Sequence, residues 1–211
     1  MIKLFYHPLS FPSFAPIFTA QAMDIPYEKV IIDFKVKEQK TPEFLAINTY
    51  GRVPAMQNGS YSMGESASIM RYLARKEGSS LYSGSLEEQG NIDKWLDFVN
   101  HHIRSSAARV HFNRIVGPWL GDKPNEASIE IGLHSLKNDL PVIETRLSDH
   151  AFLCADKMTL ADIALVAALE PETMAKIDLS DYPNLISWLK ARRSEPFYTK
   201  VHSHFGAELE P

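Results

Sequence analysis

The hydrophobic grammar of this chain of 211 residues changes once, at the Gly/Ser-rich stretch "GSSLYSGS" (78–85). Before it, short β-branched and aromatic runs alternate with helical patterns. After it, the apolar runs have helical period. This order predicts a small α/β domain over 1–78, a linker over 79–86 and an all-helical domain over 87–211.

In the first part, "IKLFY" reads as a strand and "SFAPIFTAQAM" as a helix, with Pro12 near its first turn and Ser13 as its cap. "YEKVIIDF" reads as a second strand. "TPEFLAIN" reads as a short helix, capped by Thr41 and with Pro42 at its first position. "VPAMQNGSYSM" reads as a hairpin around Asn58-Gly59, both residues being tolerant of positive φ. "ESASIMRYLARKEG" reads as an amphipathic helix with Ile69, Tyr72 and Leu73 on one face and Gly78 at its end. The resulting order is β-α-β-α-β-β-α. Beyond the linker, four helical tracts begin at Leu86, Asn125, Thr159 and Asn184. Trp95 and Trp188 fall on apolar helix faces and read as core. Trp119, in the turn "GPWLG", reads as an anchor, and the C-terminal "HFGAELEP" carries weak order signals.

Composition narrows the function. Hydrophobic residues make up 45% and charged residues 23% of the chain, as in ordinary globular domains. A net charge of −4 gives no basic footprint for nucleic acid. No apolar run reaches the roughly 20 residues that span a bilayer, and no secretory pattern opens the chain, so a cytoplasmic protein is expected. One cysteine, Cys154, excludes an internal disulfide and fits a reducing compartment. In "AFLCA" it reads as a buried, inert thiol. The eight histidines show no His-x-x-x-His pair on one helix, so no metal is expected.

Three stretches could carry chemistry. In "GRVPAM", a cis Val53-Pro54 bond would leave the Val53 backbone free to pair with an extended, peptide-like ligand; a trans proline at a strand edge is the alternative. In "MGESASI", a helix N-terminus could hold a carboxylate while Glu65 holds an ammonium, so that Glu65 and Ser66 grip an α-amino acid. The alternative is an ordinary capped helix start. In "PLSFPS", Ser10 lies between a strand and a helix, where its hydroxyl could donate to a bound thiolate. Ser13 is the competing candidate, fully explained if it caps the helix.

Taken in order, "PLSFPS", "QKTPEFLAINTYGRVPAM", the "ES" pair and "TLADIALVAAL" resemble the glutathione transferase superfamily, and the resemblance spans the whole chain. It is to the cytosolic, serine-type classes. It implies a thioredoxin-like N-terminal domain, a C-terminal helical bundle, and glutathione bound as cosubstrate without a metal. Ser10 then matches the thiol-activating hydroxyl. Gln39 and Lys40 match glycyl contacts, Val53 and Pro54 the cysteinyl contact, and Glu65 and Ser66 the γ-glutamyl contact. His102, Ser105, Ser106 and Arg109 fall where the first long helix lines the electrophile pocket, and Thr159 and Asp162 match a structural capping box. The resemblance also implies a homodimer, a tail that folds over the active site, and a small apolar electrophile as second substrate. A non-catalytic binding role, or a glutathione-dependent peroxidase or isomerase, would use the same site.

The chain departs from the family pattern in two places. Ser13-Phe14 stands where many serine-type relatives have cysteine then arginine, and Gln39 stands where histidine is usual. Sliding the alignment by two residues matches "SFAP" to a bacterial class and puts Pro12 at that class's cysteine. Ser10 and Ser13 therefore both remain candidates for the activating hydroxyl.

Overall fold

The computed structural model describes residues 1–154 and 156–202; the "HFGAELEP" tail lies outside them. Two compact units are formed. The first holds Met1–Tyr82 and, of the described residues, 195–202, and the second holds Ser83–Ser194.

The first unit is built on β1 (Ile2–Tyr6), β2 (Tyr27–Ile31), β3 (Ala55–Asn58) and β4 (Tyr61–Gly64), in the order β2-β1-β3-β4. β1 runs parallel to β2, while β3 runs antiparallel to both β1 and β4. α1 (Phe14–Ala22) and α3 (Ser66–Lys76) pack against each other, and α2 (Pro42–Ile47) starts at its Thr41 cap, which accepts from the Phe44 N–H at 3.3 Å. Side chains on a strand alternate in direction. Phe5 therefore joins Ile32, Phe44 and Ala55 in one cluster, with Val30, Phe34, Ile47 and Val53 packed around it. Its ring meets Phe44 edge-on, 5.8 Å between centroids. Leu4 and Tyr6, both 1% exposed, face the other way. Each such buried side chain contributes about 1.5–3 kcal/mol.

Three local readings change. Asn58 ends β3 opposite Tyr61, so Gly59 and Ser60 form the hairpin loop. Only Gly59 takes positive φ, +62°, a pattern that needs glycine at the first loop position alone. The stretch expected to be a linker is anchored: Leu81 and Tyr82 are buried, and the Tyr82 hydroxyl accepts from Arg75 at 3.1 Å. Its glycines and serines hid the apolar pair. Finally, α10 (Pro196–His202), which the sequence assigns to the helical domain, packs on α1: Phe18 meets Phe197 at 5.7 Å and Tyr198 at 5.4 Å. Periodicity shows which face of a helix is apolar, not what covers it.

In the second unit a rod starts with α4 (Leu86–Phe98) behind a Ser85/Glu88 capping box. It continues through α5 (Ser105–His111) to α6 (Gly117–Trp119), with wider-wound π turns at Val99–Arg104 and Phe112–Val116. α7 (Glu126–Asp149), α8 (Leu160–Ala168) and α9 (Pro183–Arg193) follow. Every residue of α8 is buried, as "LADIALVAA" requires of a helix that is apolar nearly all round. Trp188 is core and donates from Nε1 to the Ala151 carbonyl at 2.9 Å. Trp119 is 39% exposed in its short turn. Cys154 is half-buried, its sulfur 3.0 Å from the Thr159 hydroxyl, and burial pushes its thiol up.

Asp162, fully buried, holds the start of α8. Its carboxylate accepts from the Thr159 N–H and hydroxyl, both at 2.8 Å, and from the Leu153 N–H at 2.9 Å. Burial pushes its carboxyl up against the pull of these donors. Removing one partner from a buried hydrogen bond costs about 1–3 kcal/mol. Asp162→Ala strands three donors and is expected to lower stability by about 3 kcal/mol, read from urea unfolding. A loss under about 0.5 kcal/mol would mean that this carboxylate does not hold the helix start.

Candidate functional site

Strand polarity gathers the candidate residues of the first unit. β1 ends at Tyr6 beside the end of β2 at Ile31, and the ladder continues in the Ile32 N–H bonded to the Tyr6 carbonyl at 2.9 Å. β3 runs the opposite way, so its start, Ala55, lies opposite Phe5. β4 reverses again and ends with Gly64 opposite Ala55. Four connections therefore open at the same end of the sheet. Read across the strand order, they carry Gln39 and Lys40 after β2, Ser10 and Ser13 after β1, Val53 and Pro54 before β3, and Glu65 and Ser66 after β4.

The Ser10 loop is held by His7. The His7 Nδ1 accepts from the Leu9 N–H at 3.1 Å, which makes it the unprotonated ring nitrogen, and its ring stacks on Phe34 at 4.2 Å between centroids. The His7 carbonyl accepts from the Ser10 N–H at 2.8 Å. A 3-10 turn, Phe11–Ser13, then leads into α1. Ser10 is half-buried and Ser13 has no exposure. The expectation that Ser13 caps the helix is corrected: its backbone is already helical and its hydroxyl makes no cap bond. That hydroxyl donates instead to the Ser10 Oγ at 3.1 Å.

Val53-Pro54 is a cis peptide. Val53 sits outside the ladder, and among the described residues its backbone N–H and C=O enter no hydrogen bond. The preceding loop is shaped by Asn48, which is buried. Its Oδ1 accepts from the Tyr50 N–H at 3.2 Å and its Nδ2 donates to the Arg52 carbonyl at 2.7 Å. Asn48 also lies against Gly64, where a Cβ would come within 2.7 Å of it. One buried amide thus ties the approach to Val53 to the approach to Glu65. Gly51, at φ +58°, leaves no space for a Cβ, which would stand 2.8 Å from the Gln39 carbonyl. Lys40 reaches the Tyr50 carbonyl at 3.4 Å, while Gln39 Oε1 is shielded from solvent and accepts no hydrogen bond among the described residues.

Glu65 is exposed and adopts φ +66°, ψ 114°, a conformation that costs a non-glycine residue about 1–3 kcal/mol. Ser66 is buried directly behind it. No side chain caps α3, so the amides of its first turn stay open to an anionic group.

In the second unit, His102, Ser105, Ser106 and Arg109 recur at i, i+3, i+4 and i+7 on the first rod. His102 Nδ1 lies 3.7 Å from Asp139 of α7, and its ring stacks on Phe98. The Ser105 hydroxyl donates to the Asn100 carbonyl at 3.0 Å. Ser106 is buried, and its carbonyl and the Arg109 Cβ lie against Gly132 of α7, which is glycine because a Cβ there would stand 2.8 Å from that carbonyl. Part of this face is thus turned to α7; of the four, Ser106 is buried, while His102, Ser105 and Arg109 are exposed. No group of three or more His, Cys, Asp or Glu suited to a metal ion occurs among the described residues.

His7, Asn48 and Gly51 escaped the reading of the sequence. The signals were a histidine directly after a strand and the Asn-x-x-Gly of a tight loop. Burial lowers the His7 ring from its ordinary value of 6.5, and the Asp33 carboxylate pulls it partly back. The neutral ring is therefore the folded form. Its contribution is whole above pH 6.5 and is lost as pH falls through the lowered folded value, when a protonated Nδ1 can no longer accept from Leu9. As pH is lowered from 7, the thermal midpoint is expected to fall further in the native protein than in His7→Asn, whose amide accepts without titrating. Equal acid dependence in both would remove His7 from this role.

Residues 1–75 match the family model "Glutathione S-transferase, N-terminal domain", and residues 103–196 match "Glutathione S-transferase, C-terminal domain". Glutathione S-transferase F10 of Arabidopsis thaliana is 32% identical over 167 residues, 78% of each chain. Glutathione S-transferase 1 of Zea mays is 32% identical over 179 residues, 83% of each chain. Among solved structures, glutathione S-transferase I bound with lactoylglutathione superposes with a TM-score of 0.86 at 29% identity, over 96% of this chain and 98% of that one. Glutathione S-transferase I from maize in complex with an atrazine glutathione conjugate gives 0.85 at 29% identity, over 96% of each.

Proposed function

Since the chain belongs to the glutathione S-transferase family, we propose that glutathione lies across the shared end of the four-stranded sheet with its sulfur on the Ser10 hydroxyl. The chain is a glutathione transferase: it delivers the glutathione thiolate to an electrophilic carbon. The observation that carries the residue assignment is the strand order. Gln39 and Lys40, Ser10, Val53, and Glu65 with Ser66 follow one another across β2, β1, β3 and β4 at one end. Strands about 4.8 Å apart put the outer two roughly 14 Å from each other. A tripeptide spans about 10 Å of extended backbone and further through a γ-linkage.

The donor set suits such a ligand. Val53 offers an unpaired N–H and C=O to a cysteinyl residue. Glu65 takes the α-ammonium, and the open first turn of α3 with Ser66 takes the α-carboxylate. Gln39 and Lys40 hold the glycyl end. Ser10 donates to the sulfur and favours the thiolate over the thiol, with the positive end of the following helical turn adding to the effect. The protein supplies position and a lowered thiol pKa, and the nucleophile belongs to the cosubstrate. The helical unit supplies the contacts to a small, mostly apolar electrophile, with His102, Ser105 and Arg109 the exposed candidates on the first rod. The homodimer, the cytoplasmic location and the lack of any metal requirement belong to the same proposal; no helix among the described residues is long and apolar enough to cross a membrane.

A charge-assisted hydrogen bond of about 1.5–3 kcal/mol corresponds to roughly 1–2 units of thiol pKa. Ser10→Ala is therefore expected to lower kcat/KM about 10- to 100-fold near neutral pH, with glutathione affinity little changed. The loss should shrink as pH rises past the thiol's ordinary value near 8.5. A Ser10→Ala enzyme with the native pH–rate profile would overturn the assignment.

A further inference from the structure

Two hydroxyls meet at the proposed sulfur site, and only one of them reaches solvent. Ser13 has no exposed surface, and among the described residues its hydroxyl has one hydrogen-bond partner, the Ser10 Oγ at 3.1 Å. The two residues are joined a second time through the backbone, the Ser13 N–H donating to the Ser10 carbonyl at 2.8 Å. The pair is therefore held face to face within a single turn.

Two facing hydroxyls share one proton between their oxygens, so one must donate and the other accept. Were Ser10 the donor, the Ser13 proton would be left inside the protein without an acceptor, an expensive arrangement for a buried polar group. With Ser13 as donor, that proton is satisfied, and Ser10 has accepted one bond while keeping its own O–H to give. Burial of the second hydroxyl thus sets the direction of the first. Accepting a bond also polarises Ser10 and makes it a stronger donor.

We propose, on the footing that Ser10 meets the glutathione sulfur, that Ser13 is a positioning residue whose buried hydroxyl directs the Ser10 proton outward to the sulfur. Ser13 does not touch the ligand. Without it, Ser10 keeps its oxygen but samples other rotors and loses the polarisation. The effect passes entirely through Ser10, so it must vanish where Ser10 has no hydroxyl.

The test is the pKa of the glutathione thiol bound to the full-length protein, followed by ultraviolet difference titration of the thiolate in the native protein, Ser13→Ala, Ser10→Ala and the double variant. Ser13→Ala is expected to raise that pKa by about half a unit, a roughly threefold loss of thiolate below it. kcat should fall in the same proportion, with the difference closing at high pH and KM for glutathione near native. The double variant should match Ser10→Ala, the non-additivity that marks two groups acting through one. Ser13→Cys, which leaves no cavity but donates weakly, should shift the pKa in the same direction and guards against a folding defect in the alanine variant. A native thiol pKa in both Ser13 variants, or a Ser13 effect that persists in the Ser10→Ala background, would overturn the inference while leaving the Ser10 assignment intact. A native thiol pKa in Ser10→Ala would instead overturn the assignment on which it stands.

Discussion

The antiparallel pairing of β1 with β3, with Phe5 opposite Ala55, is the constraint on which the first unit depends. It sets the direction of the hairpin against the parallel pair and so brings four connections out at one end. It is also protected against slippage. A shift of one residue would turn Phe5 out of the cluster it shares with Phe44, Ile32 and Ala55, and would expose a face that is buried. The same register that fills the core therefore aligns the groups proposed to hold a tripeptide.

Around that framework the site concentrates several departures from local rules. Val53 leaves backbone groups unpaired, Glu65 holds a costly positive φ, and α3 starts without a side-chain cap. Elsewhere the chain satisfies itself closely: Thr41 caps α2, Ser85 and Glu88 cap α4, and Asp162 collects three donors at the start of α8. Three local rules broken together at one sheet end are the mark of a surface shaped for a partner rather than for stability. Asn48 and Gly51 show what holds it there, through contacts to Gly64 and Gln39 that only a small or absent side chain permits.

Much of this was legible in the residues. "IKLFY" and "YEKVI" read as strands because they are short and rich in β-branched and aromatic residues, and "LADIALVAA" announces a central helix by being apolar nearly all round. The ordered set of short motifs carried the family. What stayed hidden required knowing partners. "GSSLYSGS" looked like a linker because composition outweighed its two apolar residues, yet Leu81 and Tyr82 are buried. α10 looked like part of the helical unit because it is a helix, yet its aromatic residues cover α1. Ser13 looked like a cap because serine before a helix so often is one; its hydroxyl turned to Ser10 because the 3-10 turn had already carried its backbone into helical geometry. In each case the sequence shows what a residue prefers, and packing decides which of its preferences is used.

The central claim is that a tripeptide thiol lies along Val53 with its sulfur on Ser10. A crystal structure of the protein grown with glutathione measures this directly. The account predicts sulfur within about 3.2 Å of the Ser10 Oγ, cysteinyl backbone bonds to both polar groups of Val53, and the γ-glutamyl end at Glu65 and Ser66. Sulfur lying against a different donor, or glutathione bound away from this end of the sheet, would contradict it.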